Sequence, residues 1–169
     1  MTREEARLWV ERLGLQPHPE GGWFNECYRS RTRVTHEGQE RLAATSIYFL
    51  LGFGAVSRLH RLKFDELWYY HAGDPLRIEL LHVDGRRETV QLGSCTEAGE
   101  RLQLVVPGGT VFGAQASQTG ATLVGCMVAP AFEFSDFEMP PRTILRQAFP
   151  QHHQLIEELG AEPVTSSGS

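Results

Sequence analysis

The chain has 169 residues, a length that fits one domain at about 100–200 residues per domain. Its residues are 41% hydrophobic and 22% charged, as in ordinary globular proteins, so a full hydrophobic core is possible. The 16 basic and 21 acidic residues give a net charge of −5, and no basic run exceeds Arg86–Arg87. This charge pattern argues against nucleic acid as a partner.

The cysteines and the first residues bear on localisation. Cys27, Cys95 and Cys126 lie far apart and form no Cys-x-x-Cys pair, which favours a reducing compartment. The N-terminal residues contain no signal-peptide core, and no stretch reaches the roughly 18 apolar residues of a membrane span. We therefore expect a soluble, cytoplasmic protein without a membrane partner.

A short helix is predicted at the start of the chain. Thr2 and Glu5 have the spacing of a capping box, and apolar residues then recur at helical intervals from Ala6 to Leu13. From Pro17 onward the hydrophobic pattern changes to a period of two. The body of the chain is therefore predicted to be all-β.

Eight short runs rich in β-forming residues, each bounded by turn residues, predict strands. They are Trp23–Ser30, Thr45–Leu51, Glu66–His71, Leu76–Val83, Glu88–Leu92, Leu102–Val106, Thr110–Gln115 and Thr122–Ala129. Asp84-Gly85 predicts a type I′ hairpin turn, which needs a positive φ at both central positions. So many short strands favour a sandwich or a small barrel over alternating βα units.

The C-terminal part of the chain returns to a helical pattern. After Pro140-Pro141, apolar residues recur at helical spacing as far as Leu159. Residues 161–169 have nothing to bury and predict a disordered tail. We therefore expect residues 1–160 to form a single all-β domain with a short helix at each end.

The segment between Gly54 and Gly73 has the most informative spacing in the chain. Gly54, His60, Glu66 and Gly73 resemble the first motif of the cupin superfamily, which has the form Gly-x5-His-x-His-x3-Glu-x6-Gly. Leu62 stands where that motif has its second histidine. One of the usual metal ligands of the superfamily is therefore missing here.

A later segment, Pro107–Phe112, resembles the second cupin motif, Pro-x-Gly-x2-His, with Phe112 at the position of the histidine. Further runs resemble one small cupin family of unknown function, sometimes called cupin five, with a sugar-epimerase-like (RmlC-like) jelly roll. These runs are His18–Phe24, Tyr28–Ser30, Ala44–Leu51 and Val124–Glu138. The resemblance covers residues 7–159 and implies a double-stranded β-helix, a pocket inside the barrel, a homodimer and no established reaction.

His60 and Glu66 are the candidate polar centre of such a pocket. Alternate side chains of a strand share a face, so Glu66, Trp68 and Tyr70 point one way, and His60 joins them if the register extends back to it. The cupin resemblance places Glu66 inward. Aromatic walls with a few convergent polar groups are typical of small-molecule pockets. Burial and mutual attraction can bring a Glu and a His close to neutral pKa, as proton transfer requires.

We predict His60 and Glu66 as the catalytic residues, with His60 as the base and Glu66 as its orienting group or as an acid. Tyr48 or Tyr70 would then donate a proton from the opposite face. The residues predicted to contact the ligand are Tyr48, Trp68, Tyr70, Phe112, Gln115, Glu26 and Arg29. The alternative is that His60 and Glu66 only hydrogen-bond each other or the backbone in a polar spot of the barrel.

No metal cofactor is predicted. A catalytic metal site commonly has three protein ligands, and the two cupin-like motifs supply only His60 and Glu66. Leu62 and Phe112 cannot ligate. The alternative is a divalent metal at His60 and Glu66 that recruits a third ligand from elsewhere, such as Gln115, Tyr48 or another histidine.

These residues predict a protein that binds a small polar metabolite, such as a sugar or sugar-nucleotide, inside the barrel. If it is catalytic, proton abstraction next to a carbonyl by a metal-free epimerase, isomerase or lyase is the most natural class. A metal-dependent enzyme, a binding or sensor module without turnover, and a storage or scaffold protein are the alternatives. The fold alone does not choose among them, because jelly rolls carry many unrelated chemistries.

Overall fold

Residues 1–161 are described in a computed structural model, and helices flank a body of strands in this part of the chain. Helix α1 spans Arg3–Arg12, α2 spans Arg142–Ala148 and α3 spans His153–Leu159. The strands are β1 (Gln16–Pro17), β2 (Trp23–Arg29), β3 (Arg33–His36), β4 (Gln39–Leu42), β5 (Thr45–Gly52), β6 (Val56–Leu62), β7 (Glu66–Gly73), β8 (Leu76–Leu81), β9 (Arg87–Leu92), β10 (Gln103–Val106), β11 (Val111–Gln115), β12 (Ala121–Val128) and β13 (Phe137–Glu138).

Two antiparallel sheets face each other. The first has the strand order β1-β2-β5-β12-β7-β10, and the second has the order β13-β6-β11-β8-β9. Strands β3 and β4 form a separate hairpin. The prediction of an all-β jelly roll with helices near both ends is confirmed, and each of the eight predicted strands overlaps an observed one.

The core lies between the two sheets because side chains alternate between their faces. Phe49 and Trp68 of the first sheet meet Ile78 and Phe112 of the second in one buried cluster. On the outer face of the second sheet, Leu59 and its neighbours pack against α2 and α3. Helix α1 covers apolar side chains on the outer face of the first sheet.

The predicted capping box at the start of α1 is confirmed. The backbone N–H of Glu5 donates to Thr2 Oγ1 over 3.2 Å, and the backbone N–H of Thr2 donates to Glu5 Oε2 over 2.8 Å. Two of the free N–H groups at the helix start are thereby satisfied.

The short strands β1 and β13, the hairpin of β3 and β4, and strand β6 were not among the predicted strands. The pairing of β6 with β11 shifts register between Phe112 and Ala114, so a bulge interrupts the period of two. Leu59 and His60, which are adjacent, are both buried, at 0% and 2% exposure, because Leu59 faces the C-terminal helices and His60 faces the cavity. Because β6 contains buried polar residues and its alternation is interrupted, the hydrophobic pattern does not predict it.

The predicted type I′ turn at Asp84-Gly85 is wrong, although β8 and β9 do form the hairpin. Gly85 has a φ of 86°, whereas Asp84 is not among the residues of positive φ. The Asp84 carboxylate instead accepts a hydrogen bond of 2.9 Å from the backbone N–H of Arg86. This side-chain bond stabilises a longer loop in which only the glycine is left-handed.

The C-terminal helical pattern is confirmed as two short helices, α2 and α3, with a 3-10 turn at Pro150–His152 between them. The predicted tail 161–169 lies outside the described residues except for Ala161, which forms a bridge with Pro141. Between residues 1 and 161, no helix is both long and apolar enough to cross a membrane.

Candidate functional site

A cavity of about 270 Å³ opens between the two sheets. Its wall combines carboxyl and imidazole groups with a large aromatic and aliphatic surface, as small-molecule sites do. It is lined by His18, Glu20, Phe24, Glu26, Arg29, Thr45, Ile47, Phe49, His60, Leu62, Glu66, Trp68, Cys126, Val128, Phe132, Glu133, Phe134 and Phe137.

Glu20 is held in this wall by the turn that leads into β2. Gly21 has a φ of 110°, and a Cβ added to it would lie 2.1 Å from the carbonyl oxygen of Val56, so the turn contacts β6 through a position that only glycine fits. The backbone carbonyl of Glu20 accepts a hydrogen bond of 2.8 Å from the N–H of Arg58. The Ser57 hydroxyl donates to Glu20 Oε1 over 2.8 Å. These contacts fix the carboxyl group against β6.

His60 lies beside Glu20 and is fixed at both ring nitrogens. Its Nδ1 is 2.7 Å from the carbonyl oxygen of Arg58, and its Nε2 is 3.2 Å from Glu20 Oε2. Because a carbonyl oxygen only accepts, Nδ1 carries the proton and Nε2 is the acceptor of the neutral ring. The ring packs against Phe112 at a centroid distance of 4.2 Å. His60 is thus positioned to share a proton with Glu20.

Glu66 begins β7 and is buried at 7% exposure. Its Oε2 is buried without a hydrogen-bond partner among the described residues, and so is Nε1 of Trp68 two positions along the strand. Burial raises the pKa of Glu66 to about 7; the nearby His60 ring and the indole N–H of Trp68 oppose that rise, and the nearby Glu20 carboxyl adds to it. Glu66 therefore changes protonation state near neutral pH.

Burial also shifts the other ionisable groups of the cavity toward their neutral forms. It raises the pKa of Glu20 to about 8, against the opposing effect of the Ser57 hydrogen bond. It lowers the pKa of His18 to about 4, and the proximity of His60 lowers it further. Burial lowers the pKa of His60 as well, partly offset by the charge of Glu66 and by the hydrogen bond to the Arg58 carbonyl.

His18 supports Glu20 from the other side. The backbone N–H of Glu20 donates to His18 Nδ1 over 3.3 Å, and the same nitrogen is 3.8 Å from Glu20 Oε2. The His18 ring meets the edges of Phe24 and Phe49 at centroid distances of 4.6 and 5.8 Å. His18 therefore packs in its neutral form as part of the cavity wall.

The segment from Ala131 to Phe137 forms an aromatic wall of the cavity through Phe132, Phe134 and Phe137. The buried guanidinium of Arg41 anchors it by pairing with Asp136 and by donating to the carbonyl of Ala131 over 3.4 Å. The sequence does not predict this wall, because Arg41 and the residues that it holds, Ala131 and Asp136, lie about ninety positions apart in the chain.

Five of the nine predicted site residues line the cavity: His60, Glu66, Trp68, Glu26 and Arg29. Glu26 and Arg29 form a two-pronged ion pair with both contacts at 2.7 Å. Glu66 makes no hydrogen bond to His60, so the orienting role expected of it belongs to Glu20 and the Arg58 carbonyl. The contact of Glu20 with His60 is not predicted from the sequence.

The other four predicted site residues are not in the cavity lining. Tyr48 lies on the outer face of β5, next to the cluster that packs under α1, because Phe49 takes the inner face. The Tyr70 hydroxyl donates to the carbonyl of Gly73 over 2.6 Å. Gln115 accepts a hydrogen bond of 2.7 Å from Arg77. Phe112 is buried at 1% exposure behind the His60 ring.

The residues at the four cupin metal positions do not fit a metal ion. Phe112 pairs with His60 across β11 and β6 and covers its ring, and Leu62 offers only carbon atoms. Both nitrogens of His60 already face other groups. Within residues 1–161, no three histidine, cysteine or carboxylate side chains are grouped as a metal site requires. The prediction of a metal-free site stays a prediction.

Two facing antiparallel sheets with a polar, aromatic-lined cavity between them define a jelly-roll protein of the cupin class. The chain belongs to the family described as cupin superfamily (DUF985), whose model matches residues 7–140. The resemblance drawn from the motifs is thereby confirmed. A search of curated proteins found no match.

Solved structures agree with this membership. A hypothetical protein from Leishmania major is 40% identical with a TM-score of 0.89, over 96% of this chain and 100% of that one. A protein from Shewanella oneidensis is 40% identical with a TM-score of 0.87, over 96% of this chain and 99% of its own. An oxalate decarboxylase from Bacillus subtilis is 19% identical with a TM-score of 0.53, over 87% of this chain and 37% of that one, which is a likeness of fold alone.

Proposed function

We propose that the protein binds a small polar molecule in the cavity and moves a proton on it, as a metal-free epimerase, isomerase or lyase. The observation that carries this proposal is the 3.2 Å contact between His60 Nε2 and Glu20 Oε2 in the cavity wall. An acid with a raised pKa beside an imidazole with a lowered pKa is a pair that holds one proton between its members.

The two parts of the site have different roles in this proposal. Glu66 exchanges a proton with the ligand, because its pKa of about 7 matches neutral pH and its Oε2 has no partner among residues 1–161. The Glu20 and His60 pair supplies a second proton and takes it back. Compared with the roles expected from the sequence, Glu66 rather than His60 is the primary base.

The chemical step is proton abstraction next to a carbonyl. Ionised Glu66 takes the proton from carbon, the electron pair of the broken C–H bond forms a C=C bond, and the carbonyl oxygen receives the proton held by Glu20 and His60. For an isomer, Glu66 returns its proton to the neighbouring carbon, and Glu20 and His60 take back a proton from the hydroxyl on the first carbon, which becomes the new carbonyl. For an epimer, water protonates the first carbon from the other face, Glu66 releases its proton to water, and Glu20 and His60 take back the proton of the enol oxygen. Sugars and other hydroxycarbonyl compounds are substrates of this kind, so the predicted sugar class remains compatible with the proposal.

Hydrogen exchange tests this proposal directly. The protein is incubated in D₂O with a panel of keto sugars and keto acids, and replacement of C–H by C–D is followed by proton NMR. We expect exchange with at least one compound, a loss of about 100-fold in Glu66→Gln, and no change in Glu97→Gln, whose side chain is on the exposed surface. Absence of exchange across the panel, with binding still detected by thermal shift, would reduce the protein to a binding module.

The cupin resemblance also implies a homodimer. Light scattering at several protein concentrations tests this prediction. Two chains per particle support it, and a single chain at all concentrations contradicts it.

A further inference from the structure

The charges of the cavity point to a class of ligand, and this inference rests on the function proposed above. We infer that the cavity takes an organic cation: the carbonyl compound of the proposed function carries an ammonium or amidinium group and has apolar surface elsewhere. The three observations that carry it are an excess of carboxyl groups in the lining, a buried carboxyl oxygen without a partner among residues 1–161, and a wall of aromatic rings.

Carboxyl groups outnumber cationic side chains in the lining. Four glutamates, Glu20, Glu26, Glu66 and Glu133, face one arginine, Arg29. Nε and Nη2 of Arg29 each donate a hydrogen bond of 2.7 Å to the carboxylate of Glu26. An anionic ligand, including the phosphates of a sugar-nucleotide, would therefore have to break this ion pair or lie among carboxylates without a counter-charge.

Arg41, just outside the lining, does not change this balance. Its guanidinium pairs with Asp136 and also lies 3.4 Å from Glu133, so it already neutralises one carboxylate of the aromatic wall. In and beside the lining, the three carboxylates of Glu26, Glu133 and Asp136 therefore pair with only two arginines, Arg29 and Arg41. Ionised Glu66 adds a further negative charge inside the cavity, whereas Glu20 is protonated and neutral at pH 7.

Glu66 provides the second observation. More than nine-tenths of this residue is buried, it lines the cavity, and its Oε2 has no hydrogen-bond partner among the described residues. A buried carboxylate is costly when no cation compensates its charge, and a cationic group of the ligand near Glu66 supplies that charge while Oε2 stays free for the reacting proton. The histidines nearby do not supply this charge, because burial keeps His18 and His60 neutral.

The aromatic wall provides the third observation. Phe24, Phe49, Trp68, Phe134 and Phe137 all contribute to the lining. Aromatic faces attract cations through the negative charge of the ring face, most strongly in sites from which water is removed. Aliphatic and aromatic surface of this extent also favours an apolar body for the ligand. A volume of about 270 Å³ limits that body to a small one.

Three probes of one shape and different charge test the inference: benzylammonium, benzyl alcohol and benzoate. Binding is measured by titration calorimetry at pH 7 with wild-type protein, Glu66→Gln and the surface control Glu97→Gln. We expect benzylammonium to bind wild-type protein at least tenfold more tightly than benzyl alcohol, with benzoate weakest. We expect Glu66→Gln to lose this tenfold preference and Glu97→Gln to keep it.

A pH series with wild-type protein tests the same inference without a substitution, so it does not require that a variant folds. Since Glu66 has a pKa of about 7, its ionised fraction rises about fivefold between pH 6 and pH 7, and benzylammonium affinity should rise by about the same factor. Benzyl alcohol should show no such rise.

The possible failures are distinguishable. If benzyl alcohol or benzoate binds as tightly as benzylammonium, the cationic class is wrong, while binding in the cavity, and with it the proposed function, stands. If none of the three binds, the inference is overturned, and the D₂O exchange experiment then decides the proposed function independently.

Discussion

Replacing Glu20 by glutamine should make the stability of the protein less dependent on pH. Burial raises the pKa of Glu20 from 4.5 to about 8. Between these values the unfolded chain releases a proton that the folded chain keeps, so the contribution of Glu20 to stability is complete below pH 4.5 and is lost as pH rises toward 8. At about 1.4 kcal/mol per pH unit, the contribution of Glu20 to the free energy of unfolding falls by about 4 kcal/mol between pH 5 and pH 8.

Glu20→Gln lacks this loss and keeps the shape of the protonated acid. Its amide oxygen can accept from Ser57, and its amide N–H can donate to Nε2 of His60, in place of the contacts of Glu20. We therefore expect the variant to match wild-type stability at pH 5 and to exceed it by about 4 kcal/mol at pH 8.

Urea unfolding followed by tryptophan fluorescence at pH 5, 6, 7 and 8 measures this difference, with Glu97→Gln as the surface control. A difference between Glu20→Gln and wild-type protein that stays constant over this range would refute a buried, protonated Glu20.

Three further predictions concern the cavity wall and the missing metal ligands. His18 has a pKa lowered from 6.5 to about 4, so its contribution to stability is present above pH 6.5 and is lost as pH falls. Between pH 6.5 and pH 4, the free energy of unfolding measured with urea should fall by about 3 kcal/mol more in wild-type protein than in His18→Asn. Equal decreases in the two proteins would contradict a lowered pKa of His18. Arg41→Ala leaves the buried Asp136 carboxylate without its cation and should cost about 3–5 kcal/mol in urea unfolding, so a cost under about 1 kcal/mol would show that the pair is not an anchor. The double variant Leu62→His/Phe112→His adds two imidazoles beside the existing histidine and should gain stoichiometric Zn²⁺ or Mn²⁺ by mass spectrometry, whereas a variant that folds but gains no metal would contradict the expected ligand geometry.

The strands that could best be predicted from the sequence are those in which a run of apolar and aromatic residues is bounded by turn residues. Strands β5, β7 and β12 are of this kind, and their bounds agree with prediction to within two residues. Strand β6 could not be found in this way because four of its seven residues, Ser57, Arg58, His60 and Arg61, are polar, and a bulge interrupts its period of two. The strand that carries His60 was therefore among those that the periodicity did not predict.

The site could be predicted only in part for a related reason. His60 and Glu66 stand in one recognisable motif, and both line the cavity. The partner of His60 is Glu20, forty positions earlier in the chain, and a contact over that separation depends on how the glycine turn lies on β6. Tyr48 was expected to contact the ligand, but Phe49 takes the inner face of β5, and one step along a strand reverses the side-chain direction.

The proton shared by Glu20 and His60 is the centre of this account, and nitrogen NMR of the His60 ring tests it most directly. With ¹⁵N-labelled protein at pH 7 and His60→Asn to assign the signals, we expect Nδ1 to be protonated and Nε2 to be an unprotonated acceptor. A doubly protonated ring would mean that Glu20 is an ordinary carboxylate in an ion pair. A ring protonated at Nε2 alone would mean that the Arg58 carbonyl does not hold Nδ1, and either result would contradict the account.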